Sequence, residues 1–574
     1  MNINGQNPSG ELPYATTKAM QLGVFVQDEW SARPNVKVTA GVRVDVPIIF
    51  SDLARNEDAA AISFRNGERI YTDVLPKRVP LFSPRIGVNW DVNDDQKTQL
   101  RGGTGIFTGR VPFVLVSNQA SNNGLLFGTQ SFAGTNAIPA NLITGAPAVP
   151  AYGGFNPDPN STGGRDIDRT KYPATYNLSV LDKDFKFPQV WRTNVAVDQR
   201  LPGDVVLTLE GIFTKDLNSV FYDNVNLPDA QARSAGSDQR PLYRTPTALN
   251  RANNAPSPTF QVSPRIVFND GAIVLRNSNK GYSYTLTGQL QKSFNNGLSA
   301  SAAYTYSDSR DVSIQGSTPF PLWSSRAIVG DPNAQNLGYS QFLQNHRVVS
   351  SVSYRKEYLG HLATTVSAFM DAGPNGRYSY TYNGDMNGDG STSNDLMYIP
   401  RDKGDIVLNN TTLFAGTPQA SLYTADQQWI DLNNYISQDP YLSKRRGEYA
   451  ERNGAVNPWF AFVDARLLQD VFTNVGKNRN SLQLSVDVFN IGNLLNSNWG
   501  VSQSVQRSSP LQFNNFDQAT GKPTFTFSPI TSTRAVALDR SVNTTVQTLN
   551  VTDRYNTGET SRYRIQLGLR YTFN

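Results

Sequence analysis

Apolar and polar residues alternate with a period of two along much of the chain. Leu22, Val24, Val26 and Trp30 fall on one face, and Gln21, Gly23, Gln27 and Glu29 on the other. After Arg33-Pro34-Asn35, the residues Val36, Val38, Ala40, Val42 and Val44 alternate with Lys37, Thr39, Gly41, Arg43 and Asp45. This is the periodicity of β-strands that are apolar on one side only. Ile86, Val88, Trp90 and Val92 lead into Asn93-Asp94-Asp95, and a strand over 98–107 follows. Trp191, Val195 and Val197 lead through Leu201-Pro202-Gly203-Asp204 to a strand ending near Phe213. Tyr282, Tyr284, Leu286 and Leu290 run into Asn295-Asn296-Gly297, a strong hairpin signal, and Leu298, Ala300, Ala302, Tyr304 and Tyr306 return. Weaker alternation predicts a pair over 342–356 and 360–382, and a sixth pair over 460–472 and 479–491.

Between the pairs lie long stretches rich in Gly, Pro, Asn, Asp and Ser: 49–80, 110–184, 218–279, 312–340, 383–458 and 492–561. Short turns at one end and long loops at the other match a bacterial transmembrane barrel. Their irregular lengths argue against a solenoid of fixed period. One loop is expected to hold a helix, since Thr424 and Gln427 have capping-box spacing and Trp429, Leu432 and Ile436 then share a face.

The last strand is the most regular. Tyr563, Ile565, Leu567, Leu569, Tyr571 and Phe573 alternate with Arg562, Arg564, Gln566, Gly568, Arg570 and Thr572. It reads as a barrel-closing strand whose aromatic end lies at the periplasmic boundary, with Trp30 and Trp90 in the same girdle. Six hairpins and this strand make thirteen. The first and last then run in the same direction and cannot pair antiparallel, while open edges are not tolerated in lipid. The count therefore predicts one portion of a larger barrel.

Composition agrees with an all-β membrane wall. Hydrophobic residues make up 38% of the 574 and charged residues 17%, too apolar for a disordered chain. No run of about 18 apolar residues exists for a spanning helix. The 52 basic and 47 acidic residues are scattered, with no basic block beyond Lys444-Arg445-Arg446, so nucleic acid is not an expected partner. Met1-Asn2-Ile3-Asn4-Gly5-Gln6 has neither a basic nor an apolar leader segment, so an exported chain would be mature or internal to a longer one.

Catalysis is not expected. Cysteine is absent, and neither His346 nor His361 has an evident nucleophile partner. Gly102-Gly103-Thr104-Gly105 lies inside a strand and lacks the Lys-Ser/Thr of a phosphate loop. Its glycines are expected to relieve crowding or to allow a close plug contact. Lys37, Arg43, Arg85, Asn89, Gln99, Arg101, Arg192 and Asn194 fall on the polar face, where they line a solute path, hold a plug or simply wet a lumen. The aromatic loop residues Trp323, Tyr378, Tyr380 and Tyr382 could stack on sugar or pack the loops together.

One loop has metal-ligand spacing. Asp385, Asn387 and Asp389 occupy positions 1, 3 and 5, with Gly390 at 6, as in an EF-hand-type calcium loop. Ser391 would add a backbone carbonyl, and Asn394 or Asp395 would close the shell. The closing acid falls at position 11 rather than 12 and is Asp rather than Glu, so a turn network capping its own backbone is the alternative. No cofactor is required, and calcium, if held, would stiffen an extracellular loop.

Leu22-Gly23-Val24-Phe25-Val26-Gln27-Asp28-Glu29-Trp30, with Val42-Arg43-Val44-Asp45, resembles the mid-barrel signature of TonB-dependent outer-membrane receptors. Phe82-Ser83-Pro84-Arg85-Ile86-Gly87, the 101–109 stretch, Gln291-Lys292-Ser293-Phe294, Arg445-Arg446-Gly447 and Glu451-Arg452-Asn453-Gly454 resemble its Oar-like branch. Asp487-Val488-Phe489-Asn490-Ile491-Gly492-Asn493 resembles a penultimate strand of such receptors. The resemblance implies a 22-strand barrel of which 1–574 would be the C-terminal portion. It also implies an N-terminal plug and regulatory sandwich not visible here, and energy from the TonB complex through that plug. Expected partners are outer-membrane lipid, the barrel-assembly machinery and a bulky solute, in a Gram-negative-type bacterium. A passive porin-like barrel and a secreted β-rich adhesin or carbohydrate-binding protein are the alternatives.

Overall fold

The computed structural model describes residues 15–573 apart from 111, 126–136, 139–148, 151–175, 245–270, 315, 414–415, 417–419, 474–479, 506, 529–551 and 554–560. The opening Met1–Gln6 lies outside the described residues.

Thirteen long strands pair in sequence order into one antiparallel sheet. They are β1 (Ala19–Arg33), β2 (Val36–Ile49), β3 (Leu81–Asp91), β4 (Thr98–Thr108) and β5 (Gln189–Leu201). Next come β6 (Val205–Asp216), β7 (Tyr282–Ser293), β8 (Leu298–Asp311) and β9 (His346–Tyr358). The sheet ends with β10 (Leu362–Pro374), β11 (Trp459–Thr473), β12 (Ser481–Phe489) and β13 (Arg564–Thr572). The six hairpins predicted from alternation are all present. The fifth is shorter than expected because Gly373 and Pro374 end β10, and the loop begins at Asn375.

The pairing register carries one face across the sheet. Val24 lies opposite Val44, Val38 opposite Val88, Leu100 opposite Val197 and Leu286 opposite Tyr306. The row continues through Tyr354 and Val366, Val366 and Leu467, Leu467 and Val486, and Val486 and Leu567. A slip of one residue at any pair would turn a whole strand's apolar side inward, so each pair constrains the next. Val24 is 71% exposed and Leu567 76%, as a lipid-facing row must be before lipid covers it.

The opposite face is polar and cross-linked. Arg101 Nε donates to Asp198 at 2.9 Å, Arg355 pairs with Asp470 at 2.9 Å, and Arg466 pairs with Asp487. The predicted inward residues Lys37, Asn89 and Arg101 stand in one cross-strand row, as do Arg85 and Arg192 through Gly105. At Gly105 a Cβ would sit 2.8 Å from that of Arg85, so the strand glycine is needed where a long side chain crosses the wall.

Trp30 and Trp90 sit beside short turns on the apolar face, and Tyr571, near the end of β13, pairs with Leu482 at the start of β12. Among the described residues β1 pairs only with β2, and β13 only with β12. Both run toward the short-turn rim. The predicted parity therefore holds, and the two outer edges cannot join each other antiparallel.

An arginine at the midplane of the lipid face should cost about 2–4 kcal/mol, against little on the lumen face. Val195→Arg is expected to reduce the heat-modifiable folded fraction on electrophoresis, and Asn194→Arg, at the residue before it, to leave it near wild type. Equal losses would mean that the two faces are wrongly assigned.

Candidate functional site

The long connections all leave the same rim, and they build a canopy with cores of its own. One core gathers Leu242, Ala327, Tyr380, Tyr382, Leu432 and Phe525 from four connections. The helix Ala425–Gln438 supplies part of it and begins at the predicted capping box, with Thr424 Oγ1 accepting from Gln427 N at 3.3 Å. A second core packs Leu115, Tyr222, Leu275 and Trp323. Beneath it, Ser219–Asn224 and Leu178–Leu181 flank Ala272–Ser278 in a small sheet. Sequence alternation missed these loop sheets because their strands are short and buried on both faces. Short apolar runs such as Ala272-Ile273-Val274-Leu275 inside a polar stretch were the available signal.

The aromatic loop residues pack the canopy. Trp323, Tyr380 and Tyr382 are fully buried, Tyr382 stacks on Phe525 at 4.7 Å, and Tyr380 donates to Asp439 at 2.8 Å. His346 belongs to an aromatic group at the loop-side rim of the apolar face. Its Nδ1 lies 2.7 Å from Tyr304 Oη, and its ring stacks 6.0 Å from Trp459.

The acidic loop predicted from spacing lies where three connections meet. Tyr243 N donates to the Asn387 carbonyl at 2.7 Å, Ser391 Oγ donates to the Ser324 carbonyl at 2.7 Å, and Ile328 N donates to the Asn394 carbonyl at 2.8 Å. Within the loop, Asp385 accepts from Gly388 N at 2.7 Å and Gly390 N at 3.1 Å, and Asp389 accepts from Ser391 N at 2.8 Å. Asn387 Oδ1 accepts from Asp389 N at 2.8 Å. Gly388 and Gly390 take φ of 78° and 98°, which a side chain would strain. Burial pushes Asp385 up to about 6 and Asp389 and Asp395 up to about 7.

Asp395 is engaged differently from the other predicted ligands. One oxygen receives Arg240 Nη1 at 2.9 Å, and the other receives Met386 N at 2.9 Å and Asn387 N at 3.2 Å. Arg240 is fully buried and also pairs with Asp238 at 2.9 Å. Burial pulls its guanidinium down, but the two carboxylates outweigh burial and hold it above its ordinary range. Nothing in the sequence marks this arginine, because its partner Asp395 lies in a different loop. Beside it opens a cavity of about 870 Å³ lined by Arg65, Arg233, Tyr243, Asp331, Tyr398 and Tyr449.

Removing Arg240 strands two buried carboxylates, a change that typically costs about 3–5 kcal/mol. Arg240→Met is expected to leave the barrel in the membrane but to open the canopy, read as faster external proteolysis of intact cells. Unchanged cleavage would show that the pair does not hold the loops.

The wall and its apolar outer face agree with the family model that matches the chain. Among the described residues no helix is long and apolar enough to cross a membrane. No curated protein matches the chain. Among solved structures, the ferric enterobactin receptor PfeA of Pseudomonas aeruginosa is 10% identical with TM-score 0.36, over 83% of this chain and 40% of that one. The outer membrane transporter YddB of Escherichia coli is 10% identical with TM-score 0.38, over 88% and 43%. The siderophore receptor PirA of P. aeruginosa is 9% identical with TM-score 0.32, over 82% and 45%. The chain thus spans less than half the length of these structures. The family model described as "Outer membrane beta barrel domain" matches residues 4–547, and this chain belongs to that family of the outer membrane.

Proposed function

We propose that the chain is the wall and outer canopy of a TonB-dependent, Oar-like receptor that moves a bulky solute across the outer membrane. One observation carries the reading: thirteen register-locked strands, lipid-facing on one side and polar on the other, end in two edges of the same direction. An odd number of further strands closes such a wall antiparallel, and nine would give the 22 of the resembled receptors. A barrel of that width needs a plug to gate it, and the plug is where the TonB complex would act. The barrel-assembly machinery would insert it. The arginine- and tyrosine-lined cavity in the canopy is a candidate first contact for the solute.

Two measurements test the reading. The chain is expected to stay with membranes after carbonate extraction, and release into the aqueous phase would favour the adhesin alternative. In planar bilayers the purified chain alone is expected to give no stable single-channel conductance. A stable, uniform conductance would mean a self-contained porin and would overturn the energised reading.

A further inference from the structure

We propose that the loop from Asp385 to Asn394 holds one calcium ion, with Asn394 rather than Asp395 supplying the closing oxygen. The shell would consist of Asp385, Asn387, Asp389, the Ser391 backbone carbonyl and Asn394. Asp395 stands outside it as a brace, its oxygens taken by Arg240 and two backbone amides. Among the described residues no three acidic, histidine or cysteine side chains are grouped to hold a metal, so this shell would rest on two carboxylates completed by neutral oxygens.

Three observations point to a cation. The first is an orphan: Asn394 is 1% exposed, and its Oδ1 has no hydrogen-bond partner. An unpaired buried amide oxygen is costly. The amide belongs to the cluster, since its Nδ2 donates to Asp389 Oδ2 at 2.7 Å. A half-turn about the terminal torsion exchanges nitrogen for oxygen and sets the orphaned oxygen beside that carboxylate. Two such oxygens are stable side by side across a positive ion or a shared proton.

The second is the environment of Asp389. It is buried, and its oxygens receive only amide hydrogens, from Ser391 N, Asn387 Nδ2 and Asn394 Nδ2. The third is charge. Of the four buried carboxylates Asp238, Asp385, Asp389 and Asp395, the first and last pair with Arg240, and Asp385 lies 4.0 Å from Arg244. Two negative charges remain, the charge of one divalent cation. All-oxygen donors and a flexible ring of six or more ligands suit calcium better than magnesium, which demands a tight octahedron.

Two carboxylates make a weak site, in the range of extracellular modules, with Kd of about 10⁻⁴–10⁻³ M. The test is calcium alone, titrated against the membrane-inserted chain, with external proteolysis of the canopy as readout and magnesium as control. Protection should saturate with a midpoint in that range, and magnesium should not replace calcium. Asn394→Asp should lower the midpoint about tenfold by adding a charged ligand. Asp389→Asn should abolish the response. Should Asp389→Asn fail to assemble, Asn394→Asp still decides. No calcium-dependent protection in the wild type, or an unchanged midpoint in Asn394→Asp, would overturn the proposal and leave a self-capped turn network. The site is independent of the transport reading, and a null conductance result would not bear on it.

Discussion

Backbone hydrogen bonding in lipid is the constraint on which the rest depends. Hydrocarbon offers no partner to an N–H or a carbonyl, so each strand must find its partners in its neighbours. That demand explains why the strands are long and why they pair in sequence order. It also makes the apolar row continuous from Leu22 to Leu567, since any break in register would expose polar side chains to lipid. The inner ion pairs are secondary. Arg101 with Asp198 and Arg355 with Asp470 are partly solvated, and pairs of that kind are worth at most about 1 kcal/mol each.

The canopy obeys a different rule. Outside the membrane the connections are long enough to bury side chains of their own, and they do so jointly rather than one by one. Arg65 joins Asp229 and Asp331 across two other connections, and Arg276 gathers Glu68, Asp182 and Asp223. No single loop has a complete core. Each one's order depends on the wall beneath, which fixes the spacing of the loop ends, and on its neighbours.

This division decides what could be read from sequence. The wall was legible because a two-residue period, repeated over ten or so residues, is a signal few other structures produce. The helix Ala425–Gln438 was legible because its cap is local, Thr424 answering Gln427. The loop sheets were not legible. Leu178–Leu181 is buried on both faces and so has no alternation, and its partner Ala272–Ser278 is remote in sequence. The acidic loop falls between these cases. Its ligand-like spacing is local and visible, but which residue closes it depends on Arg240, brought to Asp395 by the tertiary fold.

That dependence gives the acidic loop its place in the molecule. Its backbone is bonded to Tyr243 and Ile328 and its Ser391 hydroxyl to Ser324, so three connections converge on one buried, negatively charged node. Buried negative charge would ordinarily push such segments apart. Arg240 offsets part of it from one connection, and its guanidinium also lies 5.0 Å from the centre of the Tyr382 ring, which ties the node to the larger canopy core. Charge balance at this node and apolar packing in that core are therefore not separate contributions. Whatever neutralises the node also sets how closely the three connections approach, and with them the mouth of the cavity between Arg65 and Tyr449.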